Sequence, residues 1–168
     1  KLLKGMVEGL YLPCAGRFSA YPLSRDHEEG AVSGTSVFVA DGWLLSSDTC
    51  CAFMSIDGLS HYYALTRDER VYKLLCEMIT VFSGIDKKKI KAQTHCSLTA
   101  ARGALRMYQL TRETRFMEAA QAIFSLYTAS GMTRTYQNYN WWGRPDSWTE
   151  PCAIVDSLML AGDLYQIT

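Results

Sequence analysis

The 168-residue chain is long enough for one domain with a real core and too short for two large ones. Lys plus Arg and Asp plus Glu both number 17, so the formal charge is zero. That balance argues against nucleic acid or an anionic membrane as a partner reached through bulk electrostatics. No apolar run approaches the roughly 18 residues that span a bilayer, and no secretory signal pattern opens the chain.

Six cysteines, Cys14, Cys50, Cys51, Cys76, Cys96 and Cys152, lack the spacing of a small disulfide scaffold. They read as reduced thiols in a cytoplasmic protein, each by default a small buried hydrophobe.

Residues 1–12 carry apolar side chains at helix-compatible spacing (Leu2, Leu3, Met6, Val7, Leu10), weakened by Gly5 and Gly9, with Pro13 as the expected end. Residues 14–34 read as a long loop containing Arg25, Asp26, His27, Glu28 and Glu29. Its charges suit a solvated surface, with Asp26 and Glu28 as reserve acids. Residues 35–45 hold Val37, Phe38, Val39, Trp43 and Leu44, interrupted by Asp41-Gly42, and read equally as an extended piece or a helix start.

From residue 46 the sequence repeats. Shifted by 45, Cys51 falls on Cys96, Gly58 on Gly103, Tyr63 on Tyr108, Leu65-Thr66-Arg67 on Leu110-Thr111-Arg112, and Arg70 on Arg115. A third copy opens at Glu150-Pro151-Cys152-Ala153 and runs to Thr168. Such a period marks a repeated supersecondary unit.

Each unit reads as a helical hairpin. The first helix carries Cys51, Met54, Gly58, Tyr62 and Leu65 in one copy and Cys96, Ala100, Gly103, Met107 and Leu110 in the next. Leu-Thr closes it, and Asp68 or Glu113 favours the start of the second helix. That helix runs through Val71, Leu74, Leu75, Met78 and Phe82, then through Phe116, Ala119, Ala120, Ile123 and Tyr127. The expected fold class is all-α, one domain of repeated α-hairpins near 48–84, 94–130 and 148–168, the last incomplete. The small residues of the first helices suit an inner ring. A half-built ring exposes apolar edges that promote self-association.

Residues 136–152, YQNYNWWGRPDSWTEPC, precede the last helix with three tryptophans, Arg144, Asp146, Glu150 and Cys152. Flat rings with a few fixed charges suit a polar, ring-shaped ligand. The plainer reading is a well-packed connection that seals the helices.

Hairpins with Leu-Thr-acid corners, followed by an aromatic loop and a Glu-x-Cys helix start, resemble the six-hairpin (α/α)6 glycosidases. Within them, WTEPCAIVDSLML resembles the Glu-x-Cys-Ala segment of the bacterial β-L-arabinofuranosidase family. The resemblance implies part of an (α/α)6 toroid, a carbohydrate substrate, and Glu150 and Cys152 as ligands of a zinc ion. The tandem Cys-Cys departs from the family's order, because Cys50-Cys51 precedes the Glu-x-Cys segment.

For catalysis, Glu150 and Asp146 are the candidate carboxyls, since glycoside cleavage commonly needs one protonated and one ionised. The structural alternative makes Asp146 or Ser147 a helix cap, Pro151 a first-turn residue and Glu150 a dipole partner. Tyr139, Trp141, Trp142 and Trp148 suit stacking on a sugar, and Arg144 suits orienting it. A mixed site of Glu150, Cys152, His95, Cys96, Cys50 and Cys51 is the metal candidate, with repeat packing the competing explanation for the cysteines. The expected function is hydrolysis of a plant- or bacterial-type oligosaccharide. A non-catalytic module binding a glycan or protein in the same groove is the alternative, and an isomerase or epimerase using a proton-shuttling histidine is a third.

Overall fold

A computed structural model of the chain describes residues 1–23, 37–46 and 50–167. The charged cluster at 25–29, with Asp26 and Glu28, lies outside the described residues. Within them the protein is mostly helical, with one two-stranded hairpin.

The N-terminal segment is helical but not amphipathic in the expected way. Helix α1 (Leu2–Met6) continues as a π-helical turn over Val7–Tyr11 and a 3-10 turn at Leu12–Cys14, where Pro13 sits. Only Val7 is buried, while Leu2, Leu3, Met6 and Leu10 are exposed. The chain just beyond this turn is held by Glu77, whose carboxylate accepts the backbone N–H groups of Gly16 and Phe18 at 2.7 Å.

Strands β1 (Val37–Ala40) and β2 (Trp43–Ser46) pair antiparallel, with Ala40 opposite Trp43. Over the described residues 37–45 the open choice is therefore settled as extended. Asp41 and Gly42 form its two-residue turn, both at positive φ (52° and 76°), the backbone that matches the twist of a hairpin and that Asp-Gly tolerates. Trp43 packs edge-on against Phe18 and Tyr21, both of which also meet Phe53. Those rings join the hairpin to the helices.

Two helical hairpins come next: α2 (Ser55–Thr66) with α3 (Glu69–Gly84), and α4 (Thr94–Thr111) with α5 (Thr114–Leu126). Their corners agree atom for atom. Arg67 and Arg112 both adopt left-handed φ (55° and 64°) and donate their N–H to Tyr63 and Tyr108, at 2.9 and 2.8 Å. Thr66 and Thr111 bond back to the carbonyls of Tyr62 and Met107, and their hydroxyls receive the N–H of Asp68 and Glu113. Each Arg side chain then covers the Tyr ring before it.

The acids beyond the corners diverge. Asp68 caps α3 by accepting the Arg70 N–H at 2.9 Å. Glu113 makes no such cap, and its longer side chain reaches Tyr72 Oη on α3 at 2.6 Å.

Helices α3 and α5 bury one stripe each: Val71, Leu74, Leu75, Met78, Ile79 and Phe82 on the first, Phe116, Ala119, Ala120 and Ile123 on the second. Each fully buried large side chain contributes about 1.5–3 kcal/mol. Helix α4 is the centre, packed against α2, α5 and α6 (Pro151–Ile167). Small residues make this possible. A Cβ built on Gly103 would stand 2.6 Å from the Asp57 backbone nitrogen, so α2 and α4 touch through a glycine. Helix α6 turns Ala153, Asp156, Ser157, Leu160 and Leu164 inward and leaves Val155, Leu158, Met159 and Tyr165 exposed. No described helix is long and apolar enough to cross a membrane.

Candidate functional site at the starts of α4 and α6

Gln93, the residue before α4, is extended (φ −68°, ψ 133°) and forms a single antiparallel bridge with Trp141. The bridge docks the aromatic loop on the helix start. Trp142 donates its N–H to Ala92 O at 3.0 Å, Thr94 donates its N–H to Asn140 O at 2.8 Å, and the Thr94 hydroxyl donates to Tyr139 O at 2.6 Å. Asn138 then clamps the far end of the loop, its Oδ1 accepting the Glu150 N–H at 3.2 Å. Backbone pairing thus brings Glu150, at the mouth of α6, beside the first turn of α4.

Two polar clusters result. In the first, the Gln93 amide donates through Nε2 to Glu150 Oε2 at 3.2 Å, and its Oε1 accepts the Cys96 thiol at 2.7 Å. Cys51 Sγ lies 3.2 Å from Cys96 Sγ. No described cysteine is in a disulfide.

In the second cluster the buried Asp156 carboxylate receives three groups from one face of α4. His95 Nδ1 is 2.8 Å from Oδ2, the Thr99 hydroxyl donates to the same oxygen at 2.5 Å, and Arg102 Nη1 donates to Oδ1 at 2.6 Å. Burial pushes Asp156 up, but the bonds from His95, Thr99 and Arg102 outweigh it and hold the carboxyl below its usual value. His95 moves the other way. Its bond to Asp156 raises its pKa, burial opposes that, and the charges of Asp156 and Glu150 add to the rise. Both clusters join the N-terminal part of α4 to the entry of α6.

The aromatic loop serves packing more than display. Trp142 is wholly buried, its Nε1 donating to Ser97 Oγ at 3.0 Å and its ring pressed on Gly131 and Tyr127. Trp141 is 3% exposed and meets Trp148 edge-on, with centroids 4.6 Å apart. Neither buried indole has a face open to a sugar. Trp148 is 50% exposed and Tyr139 half-buried, so stacking capacity rests with them. Arg144 grips Asp146 through two bonds of 2.8 and 2.7 Å, and that guanidinium holds the exposed Asp146 carboxyl down at about 2.

Cys152 is exposed at the start of α6. Among the described residues, no group of three or more His, Cys, Asp or Glu side chains is arranged to hold a metal ion.

Comparison with known protein families, curated proteins and solved structures gives no match to this chain.

Sequence reasoning passed over Gln93, Thr99, Arg102 and Asp156. A signal existed: His95, Thr99 and Arg102 recur at spacings of four and three on a helix otherwise rich in small buried residues. Such a stripe on an inner helix needs a buried counter-charge. Asp156 is the one acid in the inward stripe of α6.

Proposed function

We propose that this chain hydrolyses a glycosidic bond of a plant- or bacterial-type oligosaccharide, as part of an (α/α)6 arrangement, with its site at the starts of α4 and α6. Glu150 exchanges the proton with the glycosidic oxygen. Asp146 is the carboxyl that stays ionised, and Trp148 and Tyr139 meet the sugar ring. The observation that carries the reading is the Gln93-held Glu150 carboxylate beside the His95–Asp156 pair. Such chemistry uses one carboxyl that exchanges a proton and one that stays ionised, and the Arg144 guanidinium keeps Asp146 ionised. The Glu-x-Cys-Ala likeness to the β-L-arabinofuranosidases adds support from about a dozen residues. The proposal routes no step through a metal.

One observation favours a second reading. The His95–Asp156 pair supplies the proton-shuttling histidine that an isomerase or epimerase on the same scaffold would need.

A panel of aryl glycosides separates the cases. Hydrolysis predicts turnover by the wild type and a fall of about 100-fold or more in Glu150→Gln, with sugar binding retained. Inverted or isomerised sugar, with no aryl release, indicates the second reading. Binding without turnover, unchanged in Glu150→Gln, indicates a non-catalytic module and overturns both.

A further inference from the structure

We propose that Cys51 and Cys96 are a thiol–disulfide site, closed by a small-molecule disulfide that reaches Cys51 through the cavity it lines. The two residues occupy equivalent positions one repeat apart, and packing of the 3-10 turn Cys51–Met54, which leads into α2, against α4 sets their sulfurs side by side. The Sγ atoms lie 3.2 Å apart as thiols, so a bond of about 2 Å needs only a small closing motion. The pair is asymmetric. Cys96 is wholly buried, whereas Cys51 is half-buried and lines an open cavity of about 570 Å³ between the N-terminal segment, the β-hairpin turn and α2. Cys51 is thus the sulfur a reagent meets first, and Cys96 the one positioned to resolve it.

The reaction balances as two exchanges. The Cys51 thiolate attacks one sulfur of a disulfide such as glutathione disulfide, forming a mixed disulfide and releasing one thiol. The Cys96 thiolate then attacks Cys51 Sγ, forming the Cys51–Cys96 bond and releasing the second thiol. The two protein thiols are oxidised, the small disulfide is reduced, and the two protons pass to solvent or to the departing thiolates. Closure removes the thiol that donates to Gln93 Oε1 at 2.7 Å, and Gln93 is the residue whose Nε2 holds Glu150. Oxidation at this site therefore acts on the amide that orients Glu150.

Other pairings fit less well. Cys50 and Cys51 are adjacent, and Cys50 is held wholly buried at φ 77°. Cys14 lines the same cavity but directs its thiol to Leu10 O.

The test is exchange of the fully reduced chain with excess glutathione disulfide, then alkylation of remaining thiols and peptide mapping under non-reducing conditions. A Cys51–Cys96 linked peptide with no glutathione retained on either cysteine is expected. Cys96→Ser stops at a mixed disulfide on Cys51, and Cys51→Ser leaves Cys96 unmodified. Linkage of Cys51 to Cys14 or Cys50, or recovery of both Cys51 and Cys96 as alkylated thiols, overturns the proposal. The wild-type map decides the matter even if circular dichroism finds a serine variant unfolded.

Discussion

Asp156 on α6 accepts His95 Nδ1 at 2.8 Å while Arg102, from the same helix as His95, holds its other oxygen at 2.6 Å. Helix α4 also sends Arg106 the other way, to Asp57 on α2 at 2.6 Å. The central helix is therefore tied to α2 and α6 by ion pairs, and only one of these junctions carries a histidine. That asymmetry gives the α4–α6 junction an imidazole whose pKa the Asp156 carboxylate raises.

The junction predicts a pH dependence of stability. His95 has a raised folded pKa, so its contribution is complete below the ordinary imidazole value of 6.5 and is lost as pH rises through the higher folded value. Asp156 has a lowered folded pKa, so its contribution is complete above the ordinary 3.8 and is lost as pH falls through the lower folded value. Stability from the pair is greatest between those limits. Denaturant melts across pH should show this plateau in the wild type and lose it in Asp156→Asn. Asp156→Ala, which leaves Arg102 facing an uncompensated site, should destabilise by about 3–5 kcal/mol.

Gly58 and Gly103 are equivalent in the repeat and opposite in their surroundings. A Cβ at Gly58 meets nothing within 4 Å, whereas one at Gly103 strikes the backbone of Ile56 and Asp57. Gly58→Ala should stabilise by about 0.5–1 kcal/mol through helix propensity. Gly103→Ala should destabilise by about 1–3 kcal/mol, because α2 and α4 must move apart. Urea melts of the two variants give the comparison directly.

Trp142 and Trp148 separate packing from recognition. Trp142→Ala empties a wholly buried site and should cost about 3–5 kcal/mol. Trp148→Ala, at a half-exposed ring, should change stability by far less and, on the proposed function, weaken binding of a sugar. Thermal melts and calorimetric titration distinguish the two losses.

Lys87 is a buried cation with little to balance it. It donates to the Phe82 carbonyl and lies over the Phe82 ring, and burial lowers its pKa from 10.5 to about 8. Phe82 O also accepts the Ile85 N–H at 3.2 Å, so that carbonyl keeps a partner without the lysine. Lys87→Met should therefore stabilise at neutral pH by about 1–3 kcal/mol, with the gain shrinking as pH rises from about 8 toward 10.5. Chemical denaturation at two pH values checks both statements.

Local rules written in the sequence carried over where the chain obeys them alone. The stripes of α3 and α5 follow apolar spacing, and the Leu-Thr-Arg corners close as the repeat implies. The hairpin at 37–46 was ambiguous because its apolar run is too short for periodicity to decide, although Asp41-Gly42 carried the turn signal. The aromatic loop misled for a physical reason. Composition cannot distinguish rings turned to solvent from rings turned onto α4, and the choice was made by backbone pairing of Gln93 with Trp141 and Thr94 with Asn140. The same long-range pairing created the Glu150–Gln93 contact and the His95–Asp156 pair, whose members lie 57 and 61 positions apart in the chain.

The claim that the meeting of α4 and α6 is one acid–base unit has a direct test. The imidazole of His95 is titrated by NMR in the wild type, Asp156→Asn and Glu150→Gln. A midpoint above 6.5 in the wild type, falling strongly in Asp156→Asn and by a smaller step in Glu150→Gln, is the predicted result. An ordinary midpoint shared by all three proteins would contradict it.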